Sequence, residues 1–467
     1  MELKNKRVLV VGLARTGVAT ALFCAAHGAI VTATESRTEA EIGESIPRLR
    51  NAGVTLELGG HHEETFLRQD LIVPSPGVPA DFPLLLAAKA NRVVIWGEIE
   101  LAYRFLHGTL VGITGSNGKT TTTALVEHIL RTAAFPTILA GNIGTPLISC
   151  VESAKRNSIT VVELSSFQLE LIETFRPKIS LFLNLTPDHL DRHRSMKIYA
   201  AAKARIFENQ TEEDAAILNA DDPATTPYAP SRPRVYWFSR KQRVAEGAYL
   251  HGDDVIFRHD GTEETILKRG EIPLVGAHNL ENVLAAVAAT RLAGATPQAV
   301  AQGIRSFAGV EHRLEFVAEV NGVRYYNDSK ATNVDATLKA LEAFPGHIVI
   351  ILGGKDKGSD YTALQKPLRE KAILVLLIGS AAEKIEKQIA GGVAIARYET
   401  LDRAVESASR TAHPGDVVLL APACASFDQF ENYEHRGRVF KDLVRQLQPH
   451  SAGVTAAKSS PTSSSRT

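Results

Sequence analysis

One stretch of this sequence, within residues 109–130, constrains the fold more than any other. The apolar run Thr109–Ile113 predicts a buried strand, and Leu125–Leu130 carries apolar residues at helical spacing. A strand, a glycine turn and a helix N-terminus in this order present backbone N–H groups and a positive dipole end to an anion. We therefore predict a phosphate-binding turn made of Gly115, Ser116, Asn117, Gly118, Lys119 and Thr120.

The last two residues of this turn indicate the kind of phosphate. Lys119 would reach the β- and γ-phosphates of a nucleotide, and the Thr120 hydroxyl would bind a magnesium ion, so ATP is the expected ligand. The spacing differs from the common loop G-x-x-x-x-G-K-[ST], because Ile113 stands where the first glycine should be. A coincidental glycine loop before a helix is the alternative.

The composition favours a globular protein without a nucleic-acid or membrane partner. Lys plus Arg and Asp plus Glu both number 52 in 467 residues, so no net field favours nucleic acid or an anionic membrane. Cys24, Cys150 and Cys424 lack metal-ligand or redox spacing, which suits a reducing cytosol. A strand expected by Arg7 leaves no room for a secretory signal, and no apolar run approaches the roughly 20 residues of a membrane helix. We expect a cytoplasmic monomer that acts on small molecules.

The first block alternates strands and helices, which predicts a parallel, doubly wound sheet. Its first turn, Gly12–Gly17, resembles a dinucleotide-binding turn but has Ala14 and lacks the middle glycine that lets a pyrophosphate approach. Another nucleotide or a sugar nucleotide is therefore favoured, and a nicotinamide dehydrogenase is the alternative. The residues Glu35, Arg37, Ser75 and Gly77 are expected on the same ligand-facing edge.

Two strands of the central block end in residues that could bind a metal ion. Ile159–Val162 is followed by Glu163, and Ile179–Leu183 is followed after a short loop by His189. In a parallel sheet both ends lie at the edge that carries the phosphate loop, where an acid is a usual magnesium ligand. Taken alone, each could instead be a surface carboxylate or a hydrogen-bonded histidine. Lys203, in an Ala-rich helix, is by itself typical of an exposed lysine.

The residues from Val310 onward predict a second open α/β sheet. Strands are expected at His347–Leu352, Ala372–Ile378, Val393–Arg397 and Asp416–Leu420, with helical segments between them. The end of the chain is rich in Ser, Thr, Ala and Gly and should be disordered. The predicted boundaries are 1–104, 105–309 and 310–448 for three domains, and 449–467 for the tail.

Several short segments together resemble one family, the Mur ligases, which are ATP-dependent amide-forming enzymes of peptidoglycan assembly. The resemblance covers residues 1 to about 448 and implies three α/β domains: N-terminal Rossmann-like, central P-loop ATPase-like with a mostly parallel sheet, and C-terminal Rossmann-like. The matching residues are Thr114–Thr120, Gly141–Gly144, Glu163–Leu169, Asp188–Asp191, Lys203, His278–Asn279, His312–Arg313, Asp328–Asn333 and Pro422–Phe430.

Within the family, the Ser-Phe-Gln run after Glu163 and the segment Pro422–Phe430 are similar to the member that adds D-glutamate. The resemblance then implies that D-glutamate is joined to UDP-N-acetylmuramoyl-L-alanine through an acyl phosphate, in a cytoplasmic step of cell-wall synthesis. It also implies ATP, two Mg²⁺ ions and a carbamate on Lys203. Two other classes stay open: a folylpolyglutamate synthase-like ligase of the same superfamily, and a non-catalytic nucleotide-binding module.

The resemblance assigns a role to each matching residue. Those implied for the UDP-substrate are Arg15, Thr16, Arg37, Ser75, Gly77, Asn142 and Ser166. Those implied for ATP are residues 115–120 together with Asn279, Asn282, Arg313, Asp328 and Lys330. Those implied for D-glutamate are Arg313, Thr332, Lys357, Ser426 and Tyr433. The implied metal ligands are Thr120, Glu163, His189 and Lys203. The implied catalytic residues are Lys119, Lys203, His189 and His312, with either histidine as the base for the amine.

Overall fold

A computed structural model describes residues 2–43, 45–142 and 144–447. The predicted disordered tail, residues 449–467, lies outside them. The described residues form two compact units, with the boundary between Gly309 and Val310. The first unit contains two sheets and the second contains one.

The first sheet lies within residues 7–95 and is followed by a short helix. Its elements are β1 (Arg7–Val11), α1 (Arg15–Ala26), β2 (Ile30–Glu35), α2 (Glu39–Ile42), α3 (Ser45–Asn51), β3 (Thr55–Leu58), α4 (Glu63–Leu67), β4 (Leu71–Pro74), α5 (Pro83–Ala90), β5 (Val94–Ile95) and α6 (Glu98–Tyr103). The strands are parallel in the order β3-β2-β1-β4-β5. The central strand β1 is apolar and buried from Val8 to Val11 because both faces of a parallel sheet are covered.

The second sheet lies within residues 109–268. Its elements are β6 (Thr109–Thr114), α7 (Lys119–Thr132), β7 (Thr137–Gly141), β8 (Ile159–Glu163), α8 (Ser166–Leu169), β9 (Ile179–Phe182), α9 (Leu190–His193), α10 (Met196–Ala204), β10 (Ala215–Asn219), β11 (Arg234–Ser239), β12 (Gly247–His251), β13 (Asp254–His259), β14 (Thr262–Lys268), α11 (Ala277–Leu292) and α12 (Pro297–Ser306). The order is β14-β13-β12-β11-β10-β9-β6-β8-β7. Strands β6 to β12 are parallel, and β12, β13 and β14 pair antiparallel at one edge.

One hydrophobic core joins these two sheets. Val8 and Val10 of β1 belong to the same buried cluster as Leu101 of α6, Leu147 and Phe175. The first two sheets therefore form one compact unit, and the predicted domain boundary at residues 104 and 105 stays a prediction.

The third sheet forms the second unit. Its elements are β15 (Glu315–Val320), β16 (Val323–Asn327), α13 (Val334–Glu342), β17 (Ile348–Gly353), α14 (Gln365–Lys371), β18 (Ala372–Ile378), α15 (Ala382–Ile389), β19 (Ile395–Arg397), α16 (Leu401–Thr411), β20 (Val417–Leu420) and α17 (Tyr433–Gln446). The order is β15-β16-β20-β17-β18-β19, with β15 antiparallel to β16 and the other pairs parallel.

The predicted fold class is confirmed, and most predicted strands lie within a residue or two of their observed ends. Strands β3, β7 and β15 are among those that the sequence pattern does not predict. Each is an edge strand, and several of its side chains are partly exposed. Such strands lack the continuous apolar run that identifies a strand covered on both faces. Within the described residues, each helix is too short or too polar to cross a membrane.

A buried carboxylate lies where the first two sheets meet. Glu98 begins α6 and is 3% exposed. Its Oε1 accepts a hydrogen bond from the Ile148 backbone N–H at 2.7 Å. Its Oε2 has no hydrogen-bond partner among the described residues. Burial raises the pKa of Glu98 from its ordinary value of 4.5 to about 7, against the opposing effect of the Ile148 and Leu147 N–H groups.

This carboxylate should make the stability of the first unit depend on pH. The pKa of Glu98 is about 7 in the folded state and about 4.5 in the unfolded chain. The resulting stabilisation is therefore complete below about pH 4.5 and is lost as the pH rises through about 7. Because each pH unit corresponds to about 1.4 kcal/mol, the loss is at most about 3 kcal/mol. Glu98→Gln, a neutral isostere, should therefore unfold at nearly the wild-type temperature at pH 5 and at a higher temperature at pH 8.

Thermal unfolding followed by circular dichroism across this pH range measures the effect. The matched control is Glu64→Gln, since the Glu64 side chain is 81% exposed and should give no such trend. A difference between Glu98→Gln and wild type that does not change with pH would contradict the prediction.

Candidate active site

Three neighbouring strands bring the predicted phosphate loop and metal ligands to one sheet edge. Strand β6 lies between β8 and β9, and all three are parallel. Ile113 pairs with Glu163, so the acid stands at the carboxyl end of β8 beside the start of the loop. The loop after β9 runs from Leu183 toward His189 at the same edge. The sequence expectation that these residues share one edge is confirmed by this topology.

The phosphate loop is fixed by the loop that follows β9. The Ser116 hydroxyl donates to the Thr186 carbonyl and accepts from the Thr186 N–H, both at 3.0 Å. The Asn117 N–H donates to Asn184 Oδ1 at 2.8 Å, and Asn184 Nδ2 donates back to the Asn117 carbonyl at 3.0 Å. Tyr199 of α10 adds a contact between its hydroxyl and that of Ser116, at 3.2 Å. Polar side chains therefore hold this loop in shape.

Helix α11 approaches the other side of the phosphate loop. Gly118 precedes α7 with a φ of +80°, and a Cβ there would lie 2.3 Å from Asn282 Oδ1. Asn282 also accepts from the Thr122 hydroxyl at 3.2 Å and donates to Asn279 Oδ1 at 3.1 Å. Both asparagines are thus brought to the loop, as the predicted nucleotide-binding residues of α11 should be.

Two lysines from different helices converge on one backbone oxygen. Lys119, the first residue of α7, donates to the carbonyls of Gly115 and Ser116, each at 2.9 Å. Lys203 of α10 donates to the same Gly115 carbonyl at 2.8 Å. Thr120, beside Lys119, is 8% exposed at the start of α7. The loop therefore brings the Lys119 side chain and the Lys203 amino group to the place where a phosphate is expected.

Lys203 is buried, in contrast to the exposed position that its helix suggests when read alone. It is 1% exposed, and its Nζ lies 4.6 Å from the centre of the Tyr199 ring. Burial and the nearby charge of Lys119 lower the pKa of Lys203 well below 10.5, while Asp188 and Glu163 oppose this effect. This shift favours the neutral amine over the ammonium, and a neutral amine can act as a nucleophile.

Glu163 offers one oxygen that fits a cation. Its side chain is 2% exposed, and Oε1 accepts from Asn142 Nδ2 at 3.1 Å. Oε2 is buried and finds no hydrogen-bond partner within the described part of the chain. A buried carboxylate oxygen in this state is costly unless a cation or a donor binds it. With the Thr120 hydroxyl on the same edge, the residues present therefore fit a magnesium ion.

His189 belongs to an aromatic cluster that sequence reasoning did not predict. Its side chain is 49% exposed, with Nε2 3.5 Å from Asp188 Oδ2. Its ring meets the Phe167 ring edge-on, with centroids 4.9 Å apart. His193 stacks on the same Phe167 ring with centroids 5.4 Å apart, and its Nε2 contacts the Ser166 hydroxyl at 2.9 Å. Ser166, predicted to bind the UDP-substrate, is thus held by a buried histidine.

The predicted sugar-nucleotide residues lie along the carboxyl edge of the first sheet. Glu35, at the end of β2, accepts from the Leu13 N–H at 2.8 Å and from the Arg37 guanidinium at 2.9 Å. Burial opposes ionisation, but the bonds from Arg37 and Leu13 lower the pKa of Glu35 to about 2. The Ser75 hydroxyl donates to the Gly12 carbonyl at 2.9 Å. Arg37 is therefore exposed at this edge, with its guanidinium oriented by Glu35.

Arg15 and Thr16 open helix α1 at the same edge. Arg15 is exposed and Thr16 is partly buried. Arg15 lines an open groove of about 760 Å³ between α1, α3 and residues 144–152, together with Arg48 and Gly144. The structure therefore places Arg15 beside the turn that carries Asn142.

Arg192 connects the first sheet to the central site. Its guanidinium donates to the carbonyls of Pro76 and Val78, at 3.0 and 3.2 Å, and of Gly77, at 3.4 Å. It also donates to Glu170 Oε2 at 3.0 Å and lies 4.1 Å from the centre of the Phe167 ring. Arg192 therefore connects the loop that contains the exposed Gly77 to the aromatic cluster around His189. Sequence reasoning did not identify Arg192, because nothing in its local pattern distinguishes it from a surface arginine.

In the second unit, the predicted amino-acid residues lie at the carboxyl ends of β16, β17 and β20, which are neighbours in the sheet. Lys357 Nζ donates to the Thr332 carbonyl at 3.4 Å. Lys330 Nζ lies 5.8 Å from the centre of the Tyr433 ring. Ser426 is 2% exposed. Loops from three strands thus meet, as the resemblance implies.

A buried arginine joins two of these loops. Arg436 of α17 is 0% exposed. It donates to the Ser329 hydroxyl and carbonyl at 3.0 and 2.9 Å, and to the Cys424 carbonyl at 3.2 Å. Burial lowers the pKa of Arg436 to about 10. In the sequence, Arg436 looks like an ordinary helix residue, so its role could not be predicted.

His312 and its neighbours form a second buried group in this unit. His312 is 3% exposed, and its Nδ1 accepts from Asn327 Nδ2 at 2.9 Å. Burial lowers the pKa of His312. Asp328 accepts from the Leu314 N–H at 3.2 Å, and burial raises its pKa to about 6, opposed by Arg313. Arg313 keeps Nε buried without a hydrogen-bond partner among the described residues.

This fold and these loops match the models of one family along nearly the whole chain. Residues 6–97 match the MurD-like N-terminal domain of Mur ligases, residues 113–290 the Mur ligase middle domain, and residues 312–424 the glutamate ligase domain of Mur ligases. The chain belongs to the Mur ligase family.

Relatives of known name are similar over almost their full length. The UDP-N-acetylmuramoylalanine--D-glutamate ligase of Acidobacterium capsulatum is 55% identical over 95% of this chain and 97% of the relative. The ligases of the same name from Koribacter versatilis and Solibacter usitatus are 53% and 52% identical, each over 96% of this chain and 99% and 100% of the relative.

Solved structures of lower identity share the fold. The UDP-N-acetylmuramate-alanine ligase MurC of Thermotoga maritima has a TM-score of 0.59 at 20% identity, covering 95% of this chain and 100% of that one. The MurF ligase of the same organism, in complex with ADP, has a TM-score of 0.58 at 17% identity, covering 95% and 96%. This structural similarity confirms the predicted three-domain α/β fold class.

Gly118→Ala should disrupt the phosphate loop. A Cβ there would lie 2.3 Å from Asn282 Oδ1, and the residue has a left-handed φ of +80°. Such a conformation costs a non-glycine residue roughly 1–2 kcal/mol even without the clash. We expect the affinity for ATP, measured by titration calorimetry, to fall at least about tenfold with the circular dichroism spectrum unchanged.

Gly270→Ala is the matched control, because a Cβ there has no neighbour within 4 Å and the φ is ordinary. This variant should bind ATP as the wild type does. Wild-type affinity in Gly118→Ala would show that the loop does not require glycine at this position.

Proposed function

We propose that this protein joins D-glutamate to UDP-N-acetylmuramoyl-L-alanine, driven by ATP, in the synthesis of peptidoglycan precursors. The assignment of these substrates rests on the 55% identity, over 95% of the chain, to a ligase named for this reaction. The convergence of Lys119 and Lys203 on the Gly115 carbonyl supports phosphoryl transfer at this loop.

The reaction would proceed in two steps. A carboxylate oxygen of the alanyl group attacks the γ-phosphorus, the bond to the bridging oxygen breaks, and an acyl phosphate and ADP form. The D-glutamate amine then attacks the acyl carbon, phosphate leaves, and the amine loses its proton. Phosphoryl transfer brings a carboxylate and a triphosphate together, so it depends on charge compensation and alignment more than on covalent help from the protein.

The residues of the central block would supply that compensation. Lys119 is proposed to move from the loop carbonyls to the phosphates, and the N–H groups at the start of α7 would face them. Thr120 would hold one Mg²⁺ ion, and Glu163, His189 and a carbamate on Lys203 would hold a second. When bound, Mg²⁺ offsets the negative charge on the transferring phosphoryl group.

The setting of Lys203 supports the proposed carbamate. A neutral amine attacks carbon dioxide, and loss of a proton then leaves an anionic carbamate. Burial and Lys119 lower the pKa of Lys203, which provides the neutral amine. The product would place a negative charge near Glu163 Oε2, which has no hydrogen-bond partner among the described residues, and a divalent cation could bind both.

The two predicted bases differ in their surroundings. His312 accepts a hydrogen bond at Nδ1 from Asn327, so its neutral ring carries the proton on Nε2 and has no free lone pair for the substrate. His189 is half-exposed beside Asp188. Of the two, we retain His189 for the base. A neutral imidazole has one free lone pair, so His189 can serve as the base or as a metal ligand, but not as both at once.

The D-glutamate carboxylates are proposed to bind in the second unit. Arg313 offers a planar fork suited to a carboxylate, and Lys357 offers an ammonium held near Thr332. Ser426 and Tyr433 would add contacts at the same sheet edge. The ATP roles of Asp328 and Lys330, a monomeric state and a cytoplasmic location remain predictions of the same proposal.

A phosphate-release assay tests the substrates. Purified protein should release phosphate from ATP only when UDP-N-acetylmuramoyl-L-alanine and D-glutamate are both present. Replacing the UDP-substrate by a folate should abolish release and would exclude the folylpolyglutamate class. Equal rates with L-glutamate or diaminopimelate would overturn the assignment. Lys119→Ala should have no measurable turnover, because the phosphates lose their main cation.

Substitution of Lys203 tests the carbamate. Lys203→Ala should lower kcat at least about 100-fold, as expected when a group that stabilises the transition state is removed. Added acetate or formate should restore part of the activity by supplying the missing carboxylate. Lys197→Ala is the matched control, since Lys197 is exposed on the same helix α10. Loss of activity without any rescue would argue against a carbamate on Lys203.

A further inference from the structure

Four side chains in the second unit form a polar chain between two loops of the proposed amino-acid site, with two of them buried and two partly exposed. We call Lys384, Asp356, Tyr361 and Cys424 the Tyr361 network. Lys384 Nζ lies 2.8 Å from Asp356 Oδ2. The Tyr361 hydroxyl donates to Asp356 Oδ1 at 2.8 Å and lies 3.0 Å from Cys424 Sγ. Tyr361 itself is 0% exposed.

The direction of each hydrogen bond in this network is determined by chemistry. Asp356 is a carboxylate, because the Lys384 ammonium lowers its pKa to about 2. The Tyr361 proton is therefore given to Asp356, and its oxygen is left to accept from the Cys424 thiol. Burial raises the pKa of Cys424 to about 11, so the thiol keeps its proton at neutral pH. The Tyr361 hydroxyl is thus both donor and acceptor.

The two ends of the network stand next to residues proposed to bind D-glutamate. Asp356 immediately precedes Lys357, and Cys424 is two residues before Ser426. Between the same loops, Lys355 and Ala425 exchange backbone hydrogen bonds of 2.9 and 3.2 Å. The Gly353 N–H also donates to the Pro422 carbonyl, at 2.8 Å. These bonds join the two loops through their backbones where the loops leave the sheet, and the Tyr361 network joins them through side chains next to Lys357.

We propose that Tyr361 is a positioning residue for the amino-acid substrate, which keeps Lys357 and Ser426 at the separation that the carboxylates of D-glutamate require. This inference rests on the proposed function. Tyr361 is too deeply buried to touch the substrate, so it acts through the two loops. Lys357 is exposed, and the position of its ammonium depends on the backbone that the network holds.

Tyr361→Phe removes the hydroxyl and leaves the ring. Asp356 Oδ1 would retain only the Ser359 N–H, at 3.2 Å, and the buried thiol of Cys424 would lose its acceptor. We expect KM for D-glutamate to rise about tenfold, which corresponds to about 1.4 kcal/mol of binding. KM for ATP, KM for the UDP-substrate and kcat should stay within about twofold of wild type, since the residues assigned to phosphoryl transfer are untouched.

Three further variants separate positioning from general damage. Tyr398→Phe is the matched control, since its hydroxyl also donates a hydrogen bond in this unit, to Ser407 Oγ at 2.7 Å. It should leave KM for D-glutamate unchanged. Cys424→Ser keeps a donor toward Tyr361 and should resemble wild type, whereas Cys424→Ala removes the donor and should raise KM for D-glutamate. An equal rise in all three KM values in Tyr361→Phe, or no rise for D-glutamate, would overturn the inference.

Hydrogen exchange followed by mass spectrometry gives a readout that does not depend on activity. In Tyr361→Phe, amides of residues 353–358 and 422–430 should both exchange faster, and in Tyr398→Phe neither segment should change. If the wild type does not use D-glutamate, the proposed function fails, and the exchange result still decides whether Tyr361 joins the loops. If the wild type uses D-glutamate and neither KM nor exchange changes in Tyr361→Phe, the proposed function stands and this inference fails.

Discussion

The carbonyl oxygen of Gly115 is the acceptor on which the site of the first unit depends. Lys119 of α7 and Lys203 of α10 both donate a hydrogen bond to it, so one backbone oxygen connects two helices to the phosphate loop. Two ammonium groups this close repel each other, which favours the neutral form of the more buried one. The loop keeps its shape because Asn184 and Thr186 hold it on one side and Asn282 packs against Gly118 on the other.

Both units build their sites in the same way. Parallel neighbouring strands end at one edge, and the loops that leave them carry the polar residues. Those loops are joined by buried side chains rather than by packing alone: Arg436 and Tyr361 in the second unit, and Tyr199 and Ser116 in the first. Such groups are stable inside a protein only when their hydrogen bonds are made, so each of them specifies one arrangement of its loops.

The sequence was sufficient for the fold class and for the strands that carry the site, because strands buried on both faces are continuous apolar runs. It was insufficient for β3, β7 and β15, which are edge strands with partly exposed side chains. The phosphate loop could be predicted because its chemistry is local. Arg192, Arg436 and the Tyr361 network could not, because their partners lie far away in the chain and no local pattern marks them. The burial of Lys203 was likewise invisible in its helix, and only the family resemblance pointed to it.

Arg192 has a consequence for how this protein tolerates sequence change. It holds the loop after β4 entirely through backbone carbonyls, those of Pro76, Gly77 and Val78. Since every residue type has a carbonyl, side chains in that loop can vary without breaking the contact. Arg192 has no such freedom, because only a planar guanidinium reaches several carbonyls, Glu170 and the Phe167 ring at once. Substitutions that keep this contact should therefore be common at residues 76–78 and rare at Arg192.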